Sequence, residues 1–251
     1  MIKRKVTAIV QARTGATRLP NKVFLPLAGR PLIWHVFDRL RYSKQIDEYV
    51  LATTTSKGDD ALEQWARENN IPCFRGSEAD VLARYYGAAR SHQAEVIVRI
   101  TADDPFKDPL VIDQVIGMFI QQGLDFAYNN KPPSFPEGLD TEVFSFEALK
   151  LAQEKSNDPF EREHVTQYFY RNPDDFKQSN LAYEKDLSYL RWTLDTAEDY
   201  AMVKLVYEKL YKEGAIFLMN DILALLEREP GIAEMNSGVK RSAMYGGDAG
   251  I

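Results

Sequence analysis

The sequence predicts an α/β fold with a mostly parallel central sheet. Short runs rich in β-branched residues alternate with amphipathic helical segments through residues 1–125, as in consecutive βαβ units. The run EVIVRI (95–100) has the composition of a strand that lies deep in such a sheet. With 251 residues, 45% of them hydrophobic, the chain can bury a full core.

The first predicted element is a strand over residues 6–10, which leads into a long glycine-containing loop. No Asp or Glu occurs before Asp38, although the chain contains 37 acidic residues. The loop region instead carries the cations Arg13, Arg18, Lys22 and Arg30. A strand followed by such a loop favours polyphosphate binding, because backbone amides approach the anion and nothing nearby repels it. A solvated basic loop is the alternative interpretation.

Predicted helices and strands alternate beyond this loop, beginning with a helix whose first turn holds Pro31. Further strands are predicted at 48–54, 71–74, 95–100, 124–130, 139–146 and 189–196. Further helices are predicted at 59–69, 81–93, 110–122, 147–155, 158–173, 197–212 and 221–228. We expect one domain over residues 1–230 with an irregular elaboration at about 126–190, and a loosely ordered tail over 231–251.

Composition excludes several classes of protein. The formal net charge of −6 and the pI of about 5.3 do not suit a duplex nucleic-acid binder. No stretch approaches the roughly 18 apolar residues that a membrane-spanning helix requires. Cys73 is the only cysteine, which excludes an intrachain disulfide and a cysteine-cluster zinc site. We therefore expect a cytoplasmic protein with no nucleic-acid or membrane partner.

Two aspartates follow predicted strands whose ends should meet at one crevice. Asp103 comes after EVIVRI, and Asp195 ends the run YLRWTLDT. Mg²⁺ is usually held by one or two carboxylates together with the phosphates of a substrate. These aspartates are thus candidate metal ligands, and Lys22 and Arg13 are candidate phosphate-binding residues. Two alternatives stay open, because Asp104 can replace Asp103 and because Asp195 can be a helix cap.

The opening AIVQARTGATRLPNKVFLPLAGRPL resembles the signature of sugar-activating cytidylyltransferases, the family of CMP-KDO synthetase and acylneuraminate cytidylyltransferase. Within that family it is most similar to the spore coat polysaccharide biosynthesis protein F type. Further blocks have counterparts in the same order, to about residue 230: RGSEADVLARYY, VRITADDPFKDP, GLDTEVFSFEAL, EREHVTQYF and RWTLDTAEDY. The resemblance implies a glycosyltransferase-A-like nucleotidyltransferase fold, a homodimer, and a reaction that joins an NTP to a sugar with loss of pyrophosphate.

The resemblance also implies roles for individual residues. In the nucleotide site these are Ala12, Arg13, Gly15, Lys22 and, near the cytosine, Arg75. Arg13 and Lys22 match the catalytic cations of the signature, and Asp103 and Asp195 match its metal ligands. Blocks on the acceptor side contribute Glu142, Arg162 and His164. The chain departs from the pattern at Asn21 and Ala102, where Gly is frequent, and at Ala197, where Pro is usual.

Together these features predict a Mg²⁺-dependent nucleotidyltransferase that uses CTP and activates a sugar or sugar acid for surface polysaccharide or glycoconjugate synthesis. The elaboration at about 126–190 would lie on the acceptor side of its single nucleotidyltransferase domain. One alternative is a glycosyltransferase that uses a nucleotide-sugar donor. A second is a non-catalytic nucleotide-binding subunit. Release of pyrophosphate distinguishes the first function from both alternatives.

Overall fold

The computed structural model describes residues 4–240, which form a central sheet flanked by helices on both faces. The strands in chain order are β1 (Val6–Gln11), β2 (Pro26–Leu27), β3 (Arg30–Pro31), β4 (Glu48–Thr54), β5 (Cys73–Gly76), β6 (Val96–Thr101), β7 (Phe126–Tyr128), β8 (Glu142–Ser145) and β9 (Gln178–Asn180). The helices are α1 (Leu32–Leu40), α2 (Asp60–Glu68), α3 (Val81–Ser91), α4 (Pro109–Gln122), α5 (Phe146–Lys155), α6 (Pro159–Glu163), α7 (Gln167–Arg171), α8 (Ala197–Leu210), α9 (Met219–Arg228) and α10 (Gly231–Glu234).

Seven strands form the central sheet in the order β5-β4-β1-β6-β8-β7-β9, while β2 and β3 form a small separate hairpin. Strand β8 pairs antiparallel with both of its neighbours, and the other adjacent pairs of the sheet are parallel. The predicted α/β fold with a mostly parallel sheet is therefore confirmed. Strand β9, which the sequence pattern does not predict, adds to the β7 edge.

The two faces of the sheet carry separate apolar layers, because successive side chains of a strand point to opposite faces. Val6, Ala8 and Val10 of β1 pack with residues of α1, α2, α4, α8 and α9. Ile9 of β1 and Ile97 of β6 pack on the other face, against α3, α5 and α7. This three-layer arrangement fixes the carboxyl ends of β1 and β6 side by side.

The prediction of one helix over 158–173 is wrong, because two short helices, α6 and α7, occupy this stretch. The break lies at His164, whose φ of −112° and ψ of 82° are not helical. The ring of His164 lies 4.6 Å from that of Phe160, and Val165 is fully buried. Burial of Val165 turns the chain inward, which the local sequence pattern does not indicate.

The prediction of a strand over 189–196 is also wrong, although this stretch is hydrogen-bonded to other segments. The Trp192 amide donates to the Glu137 carbonyl at 2.7 Å, and the Leu194 amide donates to the Asp103 carbonyl at 2.8 Å. Because these two amides bind different segments, the stretch 189–196 forms a single isolated bridge, between Glu137 and Arg191. Tertiary contacts thus replace a continuous strand ladder.

The stretch 231–240 begins with a short helix that packs against α8 and α9, whereas we expected a loosely ordered tail from 231 onward. Residues 231–234 form α10, and Ile232 and Asn236 are buried. The rest of the expected tail, 241–251, lies outside the described residues. No helix within residues 4–240 is both long enough and apolar enough to cross a bilayer.

Candidate active site

A cavity of about 820 Å³ opens at the carboxyl ends of β1 and β6. Its walls come from the loop after β1, the start of α3, and the stretches 101–104, 159–164 and 193–195. The crevice beyond the carboxyl ends of parallel strands is where open α/β sheets bind ligands. The cavity is thus the place in which the predicted site residues can meet.

Lys22 lines this cavity and is held there by a tight turn. Asn21 adopts a left-handed conformation, with φ of 56°, and a short 3₁₀ turn follows over Lys22–Phe24. Asparagine tolerates this conformation better than most residues, which explains why it can replace the frequent glycine. The turn directs the buried Lys22 side chain inward. Its Nζ donates to Asp103 Oδ2 at 2.7 Å and to Asp195 Oδ1 at 2.6 Å.

Lys22 and Asp103 form an ion pair that affects the pKa of both groups. Burial lowers the pKa of Lys22, but the charges of Asp103 and Asp195 outweigh burial, so its pKa is raised. Burial raises the pKa of Asp103, but the Lys22 ammonium outweighs this, so its pKa is lowered. Both groups are therefore charged near neutral pH.

Asp195 does not cap helix α8, contrary to the alternative interpretation. The cap is Thr196, whose hydroxyl accepts from the Asp199 amide at 3.3 Å. Asp199 in turn accepts from the amide of Asp195 at 3.0 Å and from that of Thr196 at 3.1 Å. The Asp195 carboxylate instead pairs with Arg18 at 2.8 Å and with Arg191 at 3.1 Å.

Asp103 and Asp104 have different surroundings, although both follow β6. Asp104 is buried, hydrogen-bonded to the Thr101 hydroxyl, and paired with the buried Lys107 at 2.9 Å. Burial, which Lys107 only partly offsets, raises the pKa of Asp104 to about 6. Asp103 therefore faces the shared cation with Asp195, while Asp104 is engaged with its own lysine.

The chemistry of this pair fits a divalent cation. One ammonium nitrogen lies within 2.7 Å of a carboxylate oxygen from each aspartate, so both carboxylates already converge on one positive charge. Within residues 4–240, no group of three or more His, Cys, Asp or Glu side chains could hold a metal. Two carboxylates with the remaining ligands supplied by phosphates and water is the usual arrangement for Mg²⁺.

Of the other predicted nucleotide-site residues, Ala12 and Arg13 line the cavity and Gly15 and Arg75 do not. Arg13 lies half exposed, 3.6 Å from Glu78. At Gly15 the nearest atom to an added Cβ would be 3.9 Å away, so glycine is not sterically required there. The Arg75 guanidinium is engaged elsewhere, with the Thr54 carbonyl at 2.8 Å and with carboxylates of α2.

Of the three predicted acceptor residues, only His164 lines the cavity. Burial lowers the pKa of its imidazole. Glu142 lies behind the wall, where it pairs with Arg99 and accepts from the Tyr170 hydroxyl at 2.9 Å. Arg162 binds Asp80, the N-cap of α3, and so joins α6 to α3.

The cavity also contains charged residues that sequence reasoning did not select as site residues. These are Arg18, Glu78, Arg84, Arg99, Glu137, Asp140 and Glu163. For Arg99 a signal was present, because it interrupts the β-rich run EVIVRI, where a charge needs a specific partner. The others lie in helices or loops, where a charged residue is ordinary.

Comparison with known proteins identifies the family of the chain. The family model described as Cytidylyltransferase matches residues 7–237. The chain belongs to the cytidylyltransferase family.

Relatives of this cytidylyltransferase match between about half and nearly all of its length. Spore coat polysaccharide biosynthesis protein SpsF of Bacillus subtilis is 33% identical over 90% of this chain and 95% of that one. A 3-deoxy-manno-octulosonate cytidylyltransferase of Nitratidesulfovibrio vulgaris is 33% identical over 49% of this chain and 50% of its own. A cytidylyltransferase structure from Leptospira borgpetersenii superposes with a TM-score of 0.87 at 33% identity, covering 92% of this chain and 97% of that one. The resemblance predicted from the sequence blocks is confirmed.

Proposed function

We propose that this cytidylyltransferase transfers a cytidylyl group from CTP to a sugar or sugar acid, with Mg²⁺ as cofactor and pyrophosphate as the second product. The observation that carries the proposal is the convergence of Asp103 and Asp195 on one positive charge at the cavity. The named substrate of the Nitratidesulfovibrio relative is a sugar acid, and the SpsF relative is named for polysaccharide synthesis. Both names support a glycan precursor as product.

In this proposal the residues of the β1 loop bind the triphosphate. Arg13 and Arg18 are half exposed at the cavity wall, within reach of an entering anion. Their guanidinium groups can neutralise phosphate charge and orient the α-phosphate for in-line attack by an acceptor hydroxyl. Lys22 stabilises the charge that develops on the phosphate oxygens as pyrophosphate leaves.

Asp103 and Asp195 would hold the metal in the same site. When bound, Mg²⁺ supplies Lewis-acid stabilisation of phosphate charge. Asp199 and Arg191 fix the turn that carries Asp195, through hydrogen bonds to its amide at 3.0 Å and to its carboxylate at 3.1 Å. The acceptor would enter from the side of His164. A homodimer and a cytoplasmic location remain predictions.

The proposal is tested by measuring pyrophosphate. The protein is incubated with Mg²⁺, each of the four NTPs in turn, and a panel of sugars, sugar acids and sugar phosphates, and products are identified by mass analysis. We expect pyrophosphate and a CMP-linked sugar with CTP and one class of acceptor.

Two results would contradict the proposal. The first is the absence of pyrophosphate with every nucleotide and acceptor. The second is sugar transfer from a preformed nucleotide sugar without pyrophosphate, which indicates a glycosyltransferase instead. Tight CTP binding without turnover on any acceptor would favour a non-catalytic nucleotide-binding subunit.

A further inference from the structure

Arg84, on the first turns of α3, is a buried arginine at the cavity wall. Its side chain lines the cavity, yet the residue is only 3% exposed. One of its terminal nitrogens donates to the Ser77 carbonyl at 2.6 Å. Its Nε is buried and has no hydrogen-bond partner within residues 4–240. Within residues 4–240, no carboxylate lies within ion-pair distance of the Arg84 guanidinium.

Two carboxylates, Asp59 and Glu78, lie close enough for their charges to act on Arg84, but each has other partners. Asp59 accepts from the Thr14 amide at 2.7 Å, from the Thr14 hydroxyl at 2.8 Å and from the Thr54 hydroxyl. Glu78 lies 3.6 Å from Arg13. Burial lowers the pKa of Arg84, which reflects the cost of holding this charge away from water.

The local backbone is shaped to hold this side chain in place. At Gly76, an added Cβ would lie 3.0 Å from Arg84 Cγ, so the absence of a side chain makes room for the arginine. At Gly87, one turn further along α3, an added Cβ would lie 2.4 Å from the Phe74 ring. These two glycines thus let α3 and β5 pack closely around the buried Arg84 side chain, so the local backbone leaves space for an arginine at the cavity wall.

A buried guanidinium without an opposite charge is unfavourable unless a ligand supplies that charge. Arg99, on the same wall, is by contrast paired with Glu142. Arginine binds carboxylates and phosphates through two parallel hydrogen bonds, and Arg84 has donors left for such a contact. We propose that Arg84 binds an anionic group of a substrate held in this cavity.

This inference rests on the proposed function, because it takes the cavity to be the substrate site. The anionic group is a carboxylate or a phosphate, and it has two possible sources. It can belong to the triphosphate of the nucleotide, or it can be an acidic group of the acceptor sugar. The two sources differ in which ligand depends on Arg84.

The test compares thermal unfolding of the full-length wild-type protein with that of Arg84→Met. The matched control is Arg90→Met, on the same helix but exposed to solvent. Each protein is unfolded alone and with CTP, inorganic pyrophosphate, 3-deoxy-manno-octulosonate or glucose 1-phosphate. A ligand at a hundred times its dissociation constant should raise the wild-type Tm by on the order of 5 °C.

We expect Arg84→Met to unfold at or above the wild-type Tm without ligand, because an uncompensated buried charge is removed. We also expect it to lose the Tm increase given by at least one anion, which Arg90→Met retains. Loss with CTP and pyrophosphate identifies the nucleotide as the source. Loss with a sugar acid or sugar phosphate alone identifies the acceptor. Arg84→Lys keeps the positive charge but cannot form two parallel hydrogen bonds, so the anion should raise its Tm by less than it raises the wild-type Tm.

The inference is overturned if CTP stabilises the wild type and every anion-dependent increase persists in Arg84→Met. A lower Tm of ligand-free Arg84→Met would then indicate that Arg84 stabilises the fold through its hydrogen bond to the Ser77 carbonyl. An Arg84-dependent response to a sugar anion without any response to CTP would instead contradict the proposed function and leave this inference intact. A wild type that responds to no ligand contradicts both.

Discussion

At the scale of single residues, the position of Lys22 is what joins distant parts of the chain into one site. Its ammonium connects Asp103, after β6, with Asp195, before α8, and also donates to the Leu194 carbonyl at 3.0 Å. Three acceptors around one buried nitrogen leave it little freedom. In the proposed function, an ammonium held in this way offers the phosphates a positive charge at a fixed position.

Replacing Lys22 tests its role directly. We expect Lys22→Ala to lower pyrophosphate release at saturating CTP and Mg²⁺ by at least about 100-fold, as for loss of one preorganised donor to a transition state. Lys57→Ala is the matched control, because Lys57 is exposed and outside the cavity. Turnover of Lys22→Ala close to that of the control would remove Lys22 from the mechanism.

His35 gives a pH dependence of stability. It is 2% exposed, and its Nε2 lies 2.7 Å from the Leu27 carbonyl. Burial lowers the pKa of this imidazole from 6.5 to about 4. Because the unfolded chain binds the proton more readily, stability is complete above pH 6.5 and is lost as the pH falls toward 4.

We expect the free energy of unfolding in urea to fall by about 2 kcal/mol from pH 7 to pH 5 on account of His35. This part of the pH dependence should be absent in His35→Gln, in which the side chain carries no titrating group. His92→Gln is the control, since His92 is partly exposed beside Glu48. Equal slopes for wild type and His35→Gln would show that His35 does not cause the loss.

At the scale of elements, the site depends on the contact between the stretches 137–140 and 190–195. The Glu137 amide donates to the Leu190 carbonyl at 2.9 Å, and the Trp192 amide donates to the Glu137 carbonyl at 2.7 Å. Gly138 makes this approach possible. Its φ is +104°, and an added Cβ would lie 2.8 Å from the Thr193 amide nitrogen. The position of Asp195 follows from this close backbone contact.

We expect Gly138→Ala to lower the free energy of unfolding by about 3 kcal/mol or more, because backbone strain and a backbone clash combine. Activity should fall as well, since the segment carrying Asp195 must shift. The matched control is Gly123→Ala, where φ is +58° but nothing lies within 4 Å of the added Cβ. That variant should lose only about 1 kcal/mol. Equal losses for both variants would contradict the close contact at Gly138.

At the scale of the whole molecule, the end of the described chain returns to support the site. Asn236 is buried, and its Nδ2 donates to the Arg191 carbonyl at 3.0 Å and to Asp199 Oδ1 at 2.9 Å. Arg191 and Asp199 together fix the turn at Asp195. A residue near the C-terminus therefore stabilises a candidate metal ligand.

Replacing Asn236 tests this support. We expect Asn236→Ala to lower the free energy of unfolding by about 1–3 kcal/mol, because buried acceptors lose their donor. The Mg²⁺ concentration needed for half-maximal pyrophosphate release should rise as well. Ser237→Ala is the control, because Ser237 is exposed and its hydroxyl donates to the nearby Glu234 carbonyl at 3.0 Å. An unchanged Mg²⁺ requirement in a destabilised Asn236→Ala would limit Asn236 to a structural role.

Sequence reasoning predicted the first half of the fold well, because local periodicity and sheet position agree there. Strand β4 matches its prediction residue for residue. Such reasoning failed where tertiary contacts decide, as in the irregular stretch around Arg191. It brought Lys22, Asp103 and Asp195 together, but it could not choose between Asp103 and Asp104, which follow the same strand. That choice depends on Lys107, whose position only the fold defines.

The ammonium of Lys22 also matters for how the protein is made. Two carboxylates that meet in a cavity repel each other as the chain folds and brings them together. Many proteins rely on a bound metal to overcome such repulsion. Here the chain brings its own cation to Asp103 and Asp195. The protein should therefore fold and remain stable in the presence of a chelator, with an unchanged Tm, and under the proposed function it should need Mg²⁺ for turnover alone.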